Sequence, residues 1–165
     1  MAKSDRDTNV EAIAGGYLSA HTTQRFTERT LNIFNDSDQL VLLAEKWKKL
    51  AADKAQGHLF EQLEVIKFNI DALKKDSDLF AKTTASMKLS HDKVDIVIKR
   101  GKEAVRKVQA KSYQTANLSA NALSKPEYDS MGKLLPIEQG DDARKYLDQR
   151  IETNPDGFRV ESFKD

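Results

Sequence analysis

Three features of the 165-residue chain predict an α/β fold. Apolar residues recur at helical spacing through residues 22 to 75, runs rich in strand formers lie between 79 and 111, and a small-residue helix, a short strand and a last helix follow beyond 114. With 39% hydrophobic and 32% charged residues the chain lies well clear of disordered compositions, and its length suits one functional unit better than two independent cores.

The N-terminal stretch 1 to 22, with Gly15-Gly16 and scattered polar residues, is expected to be a frayed arm. A short amphipathic helix follows over 22 to 34, carrying Phe26, Leu31, Ile33 and Phe34. Asn35-Asp36-Ser37-Asp38 then reads as a turn and N-cap before a second helix with Leu40, Leu43, Ala44, Trp47, Leu50 and Ala51 on one face. Trp47 is expected to be buried, and Lys46, Lys48 and Lys49 form the solvated side. Gly57 punctuates the chain ahead of a third helix running to about Lys75, whose Leu59, Phe60, Leu63, Ile66, Phe68, Ile70 and Leu73 are suited to burial.

Leu79–Thr84 then reads as extended, Val94–Lys99 as the clearest strand, Gly101 as a hairpin turn and Ala104–Lys111 as the returning strand. Residues 114 to 124 have the composition of a closely packed helix lying on the sheet, with Pro126 marking its end. Lys133-Leu134-Leu135 is a candidate last strand, 141 to 151 a final helix, and the tail from Asn154, with Pro155 and Gly157, is expected to be loose. No run of eighteen apolar residues spans a bilayer and Met1–Asp7 lacks the apolar region of a secretory signal, so the expectation is a cytoplasmic protein without a membrane partner. The absence of cysteine excludes disulfides, thiolate nucleophiles and sulfur-ligated zinc.

Three pieces occur in order: Gly57-His58-Leu59-Phe60-Glu61 at the start of a helix, Asp92-Lys93-Val94-Asp95-Ile96-Val97 entering a strand, and Val108-Gln109-Ala110-Lys111-Ser112-Tyr113 on the next strand. Together they resemble the motifs of the PD-(D/E)xK nucleases, in the Gln-x-Lys variant of Mrr-like enzymes. The resemblance covers about a third of the chain. It implies a restriction-endonuclease-like core of helix, three-stranded antiparallel meander, helix and short strand, over residues 55–152. Residues 1–54 are then an added N-terminal arm and helical region, and 153–165 a flexible C-terminal tail. Asp95, Gln109, Lys111 and Glu61 become the implied catalytic residues, with Asp95, Gln109 and Glu61 as metal ligands. Gln109 stands where an acidic residue is more usual, and the long interval from Glu61 to Asp95 implies an insertion over 82–91.

Elementary geometry is compatible with such a site. Alternate strand residues share a face, so Gln109 and Lys111 project together, and a hairpin can bring Asp95 beside them. Hard oxygen donors suit Mg2+ (or Mn2+), and an adjacent ammonium can neutralise charge developing on a phosphorane. Glu64, one turn beyond Glu61, competes with it for the helix position. His58 and His91 read as surface or capping residues.

The formal charge of +1 hides a local asymmetry. Between Lys88 and Lys111 eight Lys or Arg face three Asp or Glu, an excess of +5. Lys99, Arg100, Lys102, Arg106 and Lys107 are thus candidates for binding a nucleic-acid backbone, with Ser112 and Tyr113 adding hydrogen bonds or stacking. The sequence expectation is a metal-dependent endonuclease acting on DNA, with a homodimer as a possible assembly. Its alternatives are an inactive nuclease-fold module that binds nucleic acid or a protein, and a helical interaction protein with almost no strand.

Overall fold

A computed structural model describes the backbone of residues 5–48, 52–88 and 93–153, with side chains described for 22–46, 48, 55–88 and 93–153. Four helices and a mixed four-stranded sheet make an α/β protein: α1 (Asp5–Trp47), α2 (Ala52–Lys74), β1 (Leu79–Thr83), β2 (Ile96–Arg100), β3 (Glu103–Ala110), α3 (Ala116–Leu123), β4 (Gly132–Leu134) and α4 (Gly140–Thr153). The strands lie in the order β1-β2-β3-β4. The first three form an antiparallel meander, and β4 returns parallel to β3 after the α3 crossover. A purely helical protein is therefore excluded. No helix among the described residues is long and apolar enough to cross a membrane.

α2 is the helix that organises the sheet. Val65 packs with Ala81, Ile96 and Ala110, and Phe60, Phe68, Ile98, Val108 and Leu134 close around them. Ala81 pairs with Ile98, and Ile96 with Val108, so strand alternation puts these residues on one face. The stripe differs from the expected one: Leu63 and Ile70 remain exposed, while Gln62 and Asn69 are buried. Asn69 explains the exchange, since its amide donates to the Ala81 carbonyl at 3.1 Å and its Oδ1 accepts from the Ala81 N–H at 2.7 Å. Both backbone groups belong to the edge strand β1, and pairing them blunts an otherwise open edge.

The N-terminal region departs from expectation. The described part of the arm is helical from Asp5, and α1 runs unbroken through Asn35–Asp38, where a turn was expected. Tertiary contacts override the turn chemistry: Asp36 accepts from Asn69 at 3.3 Å and its carbonyl from Gln62 at 3.3 Å, while Ser37 bonds back to Ile33. Gly57 likewise lies inside α2 rather than ahead of it, and a Cβ there would meet nothing within 4 Å. Phe26 and Phe34 are exposed because α1 presents only its Ile33, Asp36, Leu40 and Leu43 side inward. The expected burial of Trp47, the solvated Lys49, the loose tail from Asn154, and His91 and Asp92 lie outside the described side chains or residues.

At the other end, the Thr115 side chain caps α3 by accepting from the Leu118 N–H. The small residues of α3 pack chiefly against α4 rather than flat on the sheet: Ala120 meets Ala143 and Leu147, with Ala116, Leu135 and Tyr146 around them. α3 ends at Leu123 with Ser124 as its C-cap, two residues before Pro126 as expected, and Pro126 opens a 3-10 turn, Pro126–Tyr128. Gly101 takes φ +57° in the tight β2–β3 turn, the backbone that favours glycine.

Candidate active site

The candidate site forms where β2 begins and β3 ends. Asp95 immediately precedes β2 and is held from both sides: its N–H donates to the Val108 carbonyl at 3.1 Å, and its carbonyl accepts from the Thr84 N–H at 2.9 Å. The backbone that presents the carboxylate is therefore pinned between its two neighbouring strands. Just beyond β3, the Lys111 N–H donates to the Leu134 carbonyl at 2.9 Å, which extends the parallel pairing with β4.

Three donors converge on one oxygen of Asp95. Its Oδ2 accepts from Gln109 Nε2 at 2.5 Å, from the Ala110 N–H at 3.0 Å and from Lys111 Nζ at 3.2 Å. Gln109 is 2% exposed, and the Asp95 and Lys111 side chains are about one-fifth exposed. Asp95, Gln109 and Lys111, grouped by the motif resemblance, thus meet in one largely buried cluster. Gln109 Oε1 is buried and has no hydrogen-bond partner, the kind of orphan that a buried amide rarely leaves without a ligand or a water.

Glu61 approaches the cluster from α2. Burial first, and then the negative charge of Asp95, push its carboxyl up to about 8, while the Lys111 ammonium pulls the other way. Those influences put Glu61 within electrostatic reach of both residues. It lies four residues before Val65, so the stripe that packs α2 on the sheet also delivers Glu61 to the strand ends. Glu64 points elsewhere and pairs with Lys67 at 2.6 Å. His58 Nδ1 lies 3.7 Å from Glu61 Oε2 at the rim, half exposed.

Two features were not legible in the sequence. Gln56 Nε2 donates to Ser112 Oγ at 3.0 Å, tying the N-terminal part of α2 to the chain just past Lys111. Tyr128 is buried beside the site; desolvation first, then its hydrogen bond to Glu127, and then the charges of Glu127 and Asp95 hold its hydroxyl above the usual phenol range. Neither has a motif signal, because Gln56 and Tyr128 reach the site only through packing.

The basic residues proposed for nucleic-acid contact do not all share one surface. Lys99, Lys107, Gln109 and Lys111 take the sheet face away from α2, whereas Arg106 lies with Glu64 and Asp71 in a groove on the α2 side. Arg100 is held by Asp78 at 3.0 Å. Ser112 is buried and bonded to Gln56, while Lys102 and Tyr113 are exposed.

The chain matches no family model, no curated protein and no solved structure. Its chemistry must therefore be read from the cluster itself. Among the described residues no three His, Cys, Asp or Glu side chains group together as metal ligands. The cluster offers two carboxyl groups and one unpartnered amide oxygen, all hard oxygen donors that fit magnesium or manganese better than a softer metal.

Proposed function

We propose that this protein is a metal-dependent nuclease with a restriction-endonuclease-like core of the PD-(D/E)xK type, hydrolysing phosphodiester bonds in DNA. The observation that carries the reading is the convergence of Gln109, Lys111 and the Ala110 N–H on Asp95, with Glu61 near enough for the charges of Asp95 and Lys111 to act on its carboxyl. The order of α2, antiparallel meander, α3 and parallel β4 supports the same family.

In this reading Asp95, Glu61 and the Gln109 Oε1 would hold Mg2+ (or Mn2+). Such an ion, when bound, would supply Lewis acidity toward a phosphate oxygen and a more acidic water. Lys111 would place its ammonium where negative charge grows on the phosphorane, and pre-organised charge in a largely buried cluster is worth more than in water. The Ala110 N–H and the pinned backbone of Asp95 keep that carboxylate from swinging out of position.

Incubation of the purified protein with plasmid and single-stranded DNA, with Mg2+, Mn2+ or EDTA, tests the proposal. Metal-dependent cleavage that disappears in Asp95→Ala and Lys111→Ala is the expected result. Unchanged cleavage in those variants, or none by the wild type with either metal, counts against it. In the latter case a nuclease-fold module that binds without cutting becomes the better reading.

A further inference from the structure

The sheet face away from α2 carries several cations between the candidate site and a cleft at the far end. Strand alternation and register assign its members. Lys82 pairs with Val97, Val97 with Lys107, and Phe80 with Lys99, so Lys82, Lys99 and Lys107 share the face that holds Asp95, Gln109 and Lys111. Lys107 and Lys82 flank a buried Val97 with no acidic residue between them.

Lys82 also lines a cleft of about 630 Å³ between α1 and the edge strand β1, together with Arg25, Arg29, Phe80 and Arg100. Of its three acidic lining residues, Asp78 pairs with Arg100, whereas Glu28 accepts from the neutral Gln24 amide at 2.9 Å and Asp36 from the neutral Asn69 amide and feels the charge of Lys82, so the four cations of the cleft outnumber its three acids by one. Arg25 has no ion-pair partner among the described residues, and Arg29 makes only a 3.4 Å bond to the Leu79 carbonyl. Arg25 and Lys82 are exposed. Lys82 Nζ lies 6.0 Å from the Phe80 ring, leaving an aromatic face beside the cations.

We infer that this cleft is a second anchoring site for a nucleic-acid backbone, and that duplex DNA engaged at Asp95 runs over Lys107 and Lys82 into the grip of Arg25 and Arg29. The run from Asp95 to Arg100 covers about 17 Å at strand rise, equivalent to about five nucleotide steps of B-form DNA. Contacts made by lysine and arginine to phosphates position a duplex without reading its sequence, so the site selects for backbone charge and length. The inference rests on the nuclease reading for the direction of the path, but the cleft's affinity does not depend on cleavage.

The test is fluorescence anisotropy of the full chain with a labelled 20-base-pair duplex in EDTA, at several salt concentrations, with single-stranded DNA and duplex RNA as parallel arms. The variant is Arg25→Glu/Lys82→Glu, which changes two exposed residues and leaves the half-buried Arg29 in place. Loss of roughly tenfold or more in affinity, with a salt slope shallower by about 2, is expected if both phosphate contacts are removed. Unchanged affinity and slope in the variant overturn the proposal, as does a wild type that binds none of the three nucleic acids. Preference for RNA over DNA overturns the DNA assignment and keeps the anchoring site. A wild type that binds with the expected sensitivity but cleaves with neither metal sinks the nuclease reading alone, whereas cleavage untouched by the double substitution sinks the cleft alone.

Discussion

Replacing Glu61 by Gln should make the protein more stable and less functional, in a pH-dependent way. The folded chain holds a proton on Glu61 until pH about 8, whereas the unfolded carboxyl releases it near 4.5. Between those values the folded state binds more protons than the unfolded one, so stability falls as pH rises through the window and levels off above it. At about 1.4 kcal/mol per unit, the penalty grows to roughly 3 kcal/mol at pH 7 and roughly 5 kcal/mol once ionisation is complete. The side chain is only 14% exposed, so solvent screening removes little of this. Glutamine keeps the shape and carries no charge. Urea unfolding in EDTA at pH 5 and pH 8 measures the effect: near-equal midpoints at pH 5, and at pH 8 a midpoint for the variant higher by on the order of 1 to 2 M. Saturating Mg2+ or Mn2+ should restore much of the wild type's deficit, since a cation beside the carboxylate offsets both burial and Asp95, and should do far less for the variant. A wild-type-to-variant difference that is the same at pH 5 and pH 8 would refute the reasoning.

Further outcomes follow from single contacts. Lys111→Ala should lower the metal-dependent cleavage rate by roughly 100-fold or more, while the urea midpoint moves little; single-turnover kinetics on plasmid DNA check it. Asn69→Ala leaves the Ala81 N–H and C=O at the β1 edge without their partners, and should cost roughly 2 to 3 kcal/mol by urea denaturation. Gly101→Ala forces a side chain into φ +57°, with an expected loss of about 1 kcal/mol and no change in DNA affinity.

Much of the core was legible. The strands at 79–83, 96–100 and 103–110 were visible because β-branched residues, a hairpin glycine and turn residues all favour the same register. The resemblance to the nuclease motifs grouped Asp95, Gln109 and Lys111, and strand alternation with a hairpin made that grouping geometrically possible. Glu61 was less secure, since a helix residue reaches a strand end only if the helix packs at the right height. The Val65 stripe decides that height. The turn expected at Asn35–Asp38 failed because Asp36 and Ser37 found partners along a continuous helix instead.

From the sequence alone came the α/β class and the meander, because local propensity and a period of two are properties of neighbouring residues, while the cluster's residues came from the motif resemblance. Only the folded chain could single out Glu61 over Glu64, strand the Gln109 oxygen without a partner, send Arg106 and Lys107 to opposite faces, and open a cation-lined cleft between α1 and β1. Those outcomes depend on where helices settle against a sheet, and that is set by the summed burial of many side chains far apart in the chain.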